Sequence, residues 1–162
     1  FGEAASLYRL AARQGYAIAQ NGLGDLYRDG FGVPQDFEEA FYWYMQAGEQ
    51  GLPEAQNNLG VLINHGRGTA EDHGLAVGWY QKAAVQGNGA AQRNLGMMYA
   101  SGDGVIQSNV LGHMWWLVAA LNGNLDGQEF SDKIAKQMSA SEISRSRDMA
   151  SRCVESGYAE CN

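Results

Sequence analysis

The sequence predicts an all-α fold, a solenoid of helix–turn–helix units that repeat every 36 residues. The first observation is a fixed aromatic period, since Trp43, Trp79 and Trp115 are 36 residues apart. The second is that other identical residues keep the same step: Gln20, Gln56 and Gln92; Gly24, Gly60 and Gly96; Gly30, Gly66 and Gly102; Gly32, Gly68 and Gly104; Ala47, Ala83 and Ala119. A phosphate-binding loop is needed once, whereas a turn is needed in every unit. The recurring G-x-G is therefore predicted to be a turn.

Three complete units are predicted, at residues 16–51, 52–87 and 88–123. Residues 1–15 match the second half of a unit, so we expect the natural chain to continue upstream. Residues 124–162 leave the period and are predicted to form a C-terminal helical cap. Solenoids need such a cap because the last unit would otherwise expose its stacking face.

Each unit begins with a helix, helix A. In residues 17–29, Ala19, Leu23, Leu26 and Tyr27 recur at the three- and four-residue spacing of one helical face. The pattern stops at Gly30, which is typical of a helix end. Glycines also recur inside helix A at positions 24, 60 and 96, where each costs about 1 kcal/mol relative to alanine. This repetition predicts a close helix crossing there.

The second helix of each unit, helix B, begins at a capping residue. Asp36 with Glu39 has the spacing of a capping box, and Asp72 and Ser108 occupy the matching positions. Glu38 and Glu39 therefore need no catalytic role. An aromatic pair then follows in each helix B: Trp43 and Tyr44, Trp79 and Tyr80, Trp115 and Trp116. Such a stripe is typical of a packed core and not of a cofactor or base-stacking site.

Two capped helices are predicted after residue 123. The pairs Asp126 with Glu129 and Ser139 with Glu142 mark their starts. Their apolar faces carry, respectively, Phe130, Ile134 and Met138, and Ile143, Met149, Ala150 and Cys153.

The only cysteines, Cys153 and Cys161, lie close together near the C-terminal end. A disulfide between them would indicate an oxidising compartment such as a periplasm, and two free thiols packed as small apolar side chains are the alternative. No metal site is predicted, because the three histidines lie in the repeats at no ligand-like spacing. No cofactor is predicted either.

The unit "AQNGLGDLYRDGFGVPQDFEEAFYWYMQAGEQG" and its partners beginning "AQNNLGVLINHGRG" and "AQRNLGMMYASGDGV" resemble a known motif. It is the Sel-one-like (Sel1-like) repeat, a relative of the tetratricopeptide repeat. The resemblance covers residues 1 to 123, and its departures are Ile63 for the helix A tyrosine and Thr69 for the turn valine. It implies a right-handed α/α superhelix that serves as a protein-binding scaffold, often in bacterial envelope or host-contact proteins.

By analogy with tetratricopeptide grooves, helix A of each unit is expected to line a concave wall. The side chains off the packing stripe are then the candidate partner-binding residues: Ile18, Asn21, Asp25 and Arg28; Glu54, Asn57, Val61, Asn64 and His65; Ala90, Arg93, Asn94 and Met97. Their mixture of amides, charges and apolar atoms suits an extended peptide.

The charge is negative, with a formal net charge of −7, and is concentrated in the first unit, where residues 16–51 carry six acidic groups against Arg28 alone. This balance argues against nucleic acid or an anionic membrane as a partner and weakly favours a basic protein or peptide. The alternative is that the acidic side chains only solubilise an exposed face. The sequence contains no long apolar run for membrane insertion. We expect a periplasmic or secreted protein, with a cytoplasmic one as the alternative.

Two function classes follow from the sequence. The first is a non-enzymatic interaction scaffold. The second is an envelope enzyme, such as a cell-wall or β-lactam-related hydrolase, by analogy with cysteine-rich relatives of the motif. An enzyme needs a nucleophile with a positioned base, and the sequence shows no S-x-x-K, G-x-S-x-G or Cys-His constellation. No catalytic residue is therefore assigned, and the oligomeric state is not predicted.

Overall fold

The computed structural model describes residues 2–161, with side chains from residue 6 onward. Within that range the chain forms nine α-helices and no β-strand. Their bounds are α1 Gly2–Arg13, α2 Ala17–Asp29, α3 Phe37–Glu49, α4 Pro53–Asn64, α5 His73–Ala84, α6 Gly89–Ser101, α7 Asn109–Leu121, α8 Leu125–Ala135 and α9 Ala140–Glu155. The predicted all-α repeat fold is thereby confirmed.

The chain divides into two compact units, each larger than one 36-residue repeat. The first unit is Phe1–Trp79 and the second unit is Tyr80–Asn162. In the first unit, α2 packs against α1 and α3, and α3 packs against α4. Fully buried side chains at these contacts include Leu23, Tyr44 and Leu59, all from the predicted apolar faces. The three- and four-residue spacing of apolar residues therefore identified the core of this unit correctly.

Gly24 allows the close crossing of helices A and B that the sequence predicts. A Cβ added to Gly24 would lie 2.6 Å from Cε1 and 2.7 Å from Cδ1 of Tyr44, and real Cβ atoms do not approach that closely. In the second unit, a Cβ on Gly96 would overlap the indole of Trp116 in the same way. Each glycine thus makes room for the aromatic side chain 20 residues later in the chain.

The recurring glycines of the G-x-G motif act as turn residues, as predicted. Gly30 ends α2 in the left-handed region, with φ of 73°, and its N–H donates to the Leu26 carbonyl at 2.8 Å. Gly68 also has a positive φ, and any Cβ there would overlap the backbone of Phe37. At these two positions the backbone conformation therefore favours glycine over any other residue.

A buried glutamine in helices α2, α4 and α6 bonds to the helix that precedes it. In each case the Nε2 atom donates to the carbonyl eight residues earlier in the chain. These glutamine bonds run from Gln20 to Ala12 at 3.2 Å, from Gln56 to Gly48 at 3.0 Å and from Gln92 to Ala84 at 2.9 Å. The recurring glutamine is therefore a structural residue that satisfies a carbonyl near a helix end.

Asp36 caps α3, but the predicted capping box with Glu39 is wrong. The Asp36 carboxylate accepts from the N–H groups of Glu38 and Glu39 at 3.0 and 3.1 Å. Its own N–H donates to the Tyr27 carbonyl at 2.9 Å, so the donor that the box needs is already used. The Glu39 carboxylate instead accepts from the indole Nε1 of Trp43 at 3.0 Å.

In the second unit, α7 packs against α6, α8 and α9. Helix α8 begins 36 residues after α6, so the helix spacing continues past residue 123 although the motif does not. The predicted cap of α8 at Asp126 is wrong, since Asn124 is the N-cap and its side chain accepts from Gly127 N at 3.0 Å. Asp126 lies in the first turn of the helix and Glu129 in its interior, both exposed.

Helix α9 begins at the predicted capping box, in which Ser139 and Glu142 bond to each other's backbone N–H groups. Its buried side chains are Ser146, Ala150 and Cys153. Met138 was predicted on the apolar face of the preceding helix, but it lies in the connection after α8 ends at Ala135.

A disulfide in the structure joins Cys153 of α9 to Cys161. Between them, Tyr158 adopts a positive φ of 70°, and its hydroxyl donates to Asn122 Oδ1 at 2.6 Å. The Tyr158 ring also covers Gly87, where an added Cβ would lie 3.2 Å from ring atom Cε2. The bridged tail is therefore packed against residues that precede α6 and follow α7.

Candidate functional site

Three of the four predicted residues of α2, Asn21, Asp25 and Arg28, belong to one hydrogen-bonded group in the first unit, whereas Ile18 is an exposed apolar side chain. Asp25 Oδ1 accepts from the Tyr44 hydroxyl at 2.8 Å and lies 3.0 Å from the Arg28 guanidinium. Asp25 Oδ2 accepts from Asn21 Nδ2 at 3.3 Å, and Asn21 Oδ1 accepts from Asn58 Nδ2 at 3.1 Å. We call these five residues the Asp25 network. It links α2, α3 and α4 while Asn21, Asp25 and Arg28 remain partly exposed.

Arg28, a member of this network, also pairs with the neighbouring Asp29 through two hydrogen bonds of 2.8 Å. The hydrogen bonds to Asp29 raise the pKa of Arg28 above its ordinary value, and the same bonds lower the pKa of Asp29. Burial raises the pKa of Tyr44, and the neighbouring Asp25 carboxylate adds to the rise. Tyr44 therefore stays a neutral hydrogen-bond donor and fixes the position of Asp25.

The predicted residues of α4 are less closely connected. Asn64 Oδ1 lies 2.9 Å from His73 Nδ1, and His73 Nε2 lies 3.5 Å from a Glu71 carboxylate oxygen. Asn57 and Val61 are half-buried, and His65 is exposed at the C-cap of the helix. Glu54 is also exposed, in the first turn.

In the second unit, the predicted residue Arg93 bridges two elements. Its guanidinium donates to Asn94 Oδ1 at 3.2 Å and lies 3.4 Å from Asp126 Oδ2 in α8. Asp126 is at the surface, so the ion pair between Arg93 and Asp126 contributes little to stability. Met97, 44% exposed, lies at the edge of a cavity between α6, α7 and α8.

One constellation was missed by sequence reasoning, a histidine beside a serine. His113 Nδ1 lies 2.6 Å from Ser146 Oγ, and both side chains are buried. Ser146 Oγ donates to the Ile143 carbonyl at 2.9 Å, so it must accept from the Nδ1–H of His113. A general base needs the reverse polarity, with the serine hydroxyl donating to the imidazole. Burial lowers the pKa of His113, and the nearby Arg147 lowers it further.

The described part of the chain contains no cluster of three His, Cys, Asp or Glu side chains that could hold a metal ion. Among residues 2–161, no helix has the length and apolar character needed to cross a bilayer.

A family model for the Sel1 repeat matches this chain at residues 1–16, 17–52, 53–88 and 89–124. Proteins built from this repeat generally mediate protein–protein interactions and are typically non-catalytic scaffolds. No curated protein matches the sequence significantly.

Two crystal structures are similar to this chain. A Sel1 repeat protein from Oxalobacter formigenes is 36% identical, with a TM-score of 0.67 over 70% of this chain and 45% of that one. The c5321 protein is described as a protective antigen of uropathogenic Escherichia coli strains with an SLR fold. It is 27% identical, with a TM-score of 0.65 over 96% of this chain and 42% of that one. This chain thus spans less than half the length of either protein.

Proposed function

Because this chain belongs to the Sel1 repeat family, we propose that it is a non-catalytic scaffold that binds a partner protein or an extended peptide. The candidate binding residues are the outward-facing side chains of its A helices, α2 and α4 in the first unit and α6 in the second. The observation that carries the proposal is the Asp25 network, which presents fixed polar groups at a partly exposed surface. The periodic glycines, aromatic side chains and glutamines, by contrast, have structural roles in turns, helix packing and hydrogen bonds between helices.

The Asp25 network suits a peptide backbone because its side chains are already ordered. Asn21 and Asn58 are bonded to each other, and Asp25 is held by Tyr44 and Arg28. A ligand therefore pays little side-chain entropy when it binds them. An amide side chain both donates and accepts, so it can pair with the N–H and C=O groups of an extended chain.

The acidic balance of residues 16–51 favours a basic partner. Six carboxylates lie in this segment against Arg28 alone, and two of them, Glu38 and Glu39, are exposed at the start of α3. Exposed surface carboxylates attract a basic ligand and raise its association rate at low salt. The same charge disfavours a nucleic-acid partner.

A non-catalytic role agrees with the environment of the one histidine–serine pair. The Ser146 hydroxyl donates to a backbone carbonyl, and both side chains are buried in the second unit. This pair supports packing of α9 against α7. A turnover assay with a panel of envelope substrates tests the enzyme alternative, and saturable turnover by the purified chain would reject the scaffold proposal.

A periplasmic or secreted location agrees with the Cys153–Cys161 disulfide. Disulfides persist in oxidising compartments and are rare in the cytosol.

Capture of the partner by the whole chain tests the binding surface. The double variant Asn57→Ala and Arg93→Ala should keep wild-type helicity and melting, since both side chains lie off the packed faces. It should weaken capture by about 1–3 kcal/mol through lost hydrogen bonds and one lost charge. Gln81→Ala is the matched control, because Gln81 is exposed on a B helix.

The comparison has two informative results. Weaker capture by the double variant, with normal capture by the Gln81 control, supports the A-helix surface. Equal capture by wild type and double variant, with loss of capture in the Gln81 control or in variants of α9, would reject it.

A further inference from the structure

The second unit contains a cavity of about 420 Å³ between α6, α7 and α8. Its apolar wall is formed by Trp116, Phe130 and Ile134, and the Trp116 and Phe130 rings lie 5.3 Å apart. The indole Nε1 of Trp116 donates to the Arg93 carbonyl at 3.0 Å, so its polar atom is already satisfied. The wall therefore offers apolar surface to a ligand, in a volume typical of small-ligand sites.

Met97 gives the apolar part of this cavity an adjustable edge. Its side chain lines the cavity and is 44% exposed. Methionine has three rotatable side-chain bonds and a polarisable sulfur, so it adapts to apolar side chains of different shape. The cavity can therefore accept either an aromatic or an aliphatic group.

The polar part of the cavity is formed by Lys133 and by the amides of Gln107, Asn109 and Gln137, which accept hydrogen bonds as well as donate them. Lys133 is the one charged residue that lines it, and within residues 6–161 no carboxylate lies at salt-bridge distance from its ammonium group. Asn109 and Gln137 also line the cavity, and their amides form no side-chain hydrogen bond with the described part of the chain. Three available donors, one of them cationic, thus border an apolar wall. That combination is complementary to a carboxylate attached to an apolar group.

We propose that this cavity binds the C-terminal residue of a peptide partner, a large apolar residue whose free α-carboxylate pairs with Lys133. This inference rests on the proposed scaffold function and names a ligand class for one of its surfaces. In a C-terminal residue the side chain and the carboxylate share one Cα atom, so a single residue reaches both the Trp116 wall and Lys133. Capture of a terminal carboxylate is a recurring mode of peptide recognition.

Short fluorescent peptides test the proposal with the full chain. One peptide ends in phenylalanine with a free carboxylate, a second is its C-terminal amide, and a third ends in glycine with a free carboxylate. The free acid ending in phenylalanine should bind about tenfold more tightly than the amide, because a charge-assisted bond is lost. It should also bind at least tenfold more tightly than the glycine peptide, because an apolar side chain is lost.

Two variants separate the cavity from general charge effects. Lys133→Gln should remove the difference between acid and amide, whereas Lys136→Gln should retain it. Lys136 is exposed at the C-cap of the same helix and does not line the cavity. Circular dichroism should show both variants folded, since both lysines are at the surface.

Several results would overturn the inference. They are equal affinity for acid and amide, an acid preference that survives Lys133→Gln, and no saturable binding of any peptide at millimolar concentration. An internal aspartate that replaces the terminal carboxylate without loss would also reject the C-terminal specificity. These failures leave the scaffold proposal intact if the wild-type chain captures its partner. Failure of the scaffold proposal is detected by a separate experiment, in which the Asn57 and Arg93 double variant captures the partner as well as the wild-type chain does.

Discussion

Gly24→Ala should destabilise the first unit, although alanine is the better helix former. The added Cβ would lie 2.6 and 2.7 Å from two ring carbons of Tyr44. Tyr44 cannot rotate away easily, because it is fully buried and its hydroxyl is bonded to Asp25 at 2.8 Å. The substitution therefore forces a shift of the ring, of helix α3, or of both.

The magnitude follows from two opposing effects. Replacing a helical glycine by alanine contributes about 1 kcal/mol of stability. Overpacking a rigid core site costs about 1–3 kcal/mol, and the anchored Tyr44 ring places Gly24 near the upper end. We expect a net loss of about 2 kcal/mol. For a chain of this size that corresponds to a melting temperature roughly 4–8 °C lower.

Thermal and urea denaturation followed by circular dichroism measure this change, and Gly78→Ala is the matched control. Gly78 also lies within a helix, α5, but an added Cβ there has nothing within 4 Å. Its replacement should therefore raise stability by up to about 1 kcal/mol. The same substitution at two helical glycines should thus give opposite signs.

A double-variant cycle identifies the clash as the cause. In a Tyr44→Leu background the ring is absent, so Gly24→Ala should become neutral or stabilising. An increase in melting temperature for Gly24→Ala in the wild-type background, equal to that of Gly78→Ala, would refute the reasoning.

Three further predictions concern other parts of the chain. Thiol titration of the unfolded, unreduced protein from its native compartment should find no free thiol from Cys153 or Cys161, and two free thiols would contradict the bridge and the export inferred from it. His113 has a folded-state pKa below its ordinary 6.5 because it is buried, so the unfolded state takes up the proton first as pH falls. Stability should be full above pH 6.5 and decline below it, and His113→Gln should remove this part of the decline in pH-dependent melting curves. Gln56→Leu should lower the free energy of unfolding in urea by about 1–3 kcal/mol, because the Gly48 carbonyl loses its side-chain donor; an unchanged midpoint would show that the glutamine bond contributes nothing.

Features needed in every 36-residue repeat could be predicted from the sequence. Leu23 is a core residue, Gly30 a turn residue and Gly24 a crossing residue, and each has counterparts 36 and 72 positions later. Repetition distinguishes such roles from chance, because a local pattern that recurs in phase must serve the unit. The recurring glutamine was visible too, but its partner is a backbone carbonyl, which leaves no mark in the sequence.

Features that depend on packing after residue 123 could not be predicted. Asn124 and Asp126 are both good capping residues, and the sequence favoured Asp126 by its spacing to Glu129. In the structure the helix begins before Gly127, since Asn124 Oδ1 accepts from Gly127 N at 3.0 Å. Gly127 itself lies against the Trp116 carbonyl of α7 with no room for a Cβ, a contact that the sequence does not show.

The candidate site was predicted only in outline. Asn21, Asp25 and Arg28 were identified as outward-facing residues, but their connection to Tyr44 and Asn58 depends on the approach of three helices. The cavity beside Met97 also escaped prediction, because Phe130, Lys133 and Ile134 of α8 form part of its wall.

The glutamine bond has a consequence for how such proteins change length in evolution. Each bond joins residues eight positions apart, and the glutamine recurs every 36 residues. Deletion of the 36 residues from Gln20 to the residue before Gln56 would therefore put Gln56 in the place of Gln20, opposite the carbonyl of Ala12. Duplication of one period would create one more identical junction. In-frame gain or loss of a period therefore preserves this glutamine bond, whereas an insertion of another length within the eight-residue span separates a buried amide from its carbonyl partner. Recombination between the repeats of one gene can thus lengthen or shorten the protein without a compensating substitution.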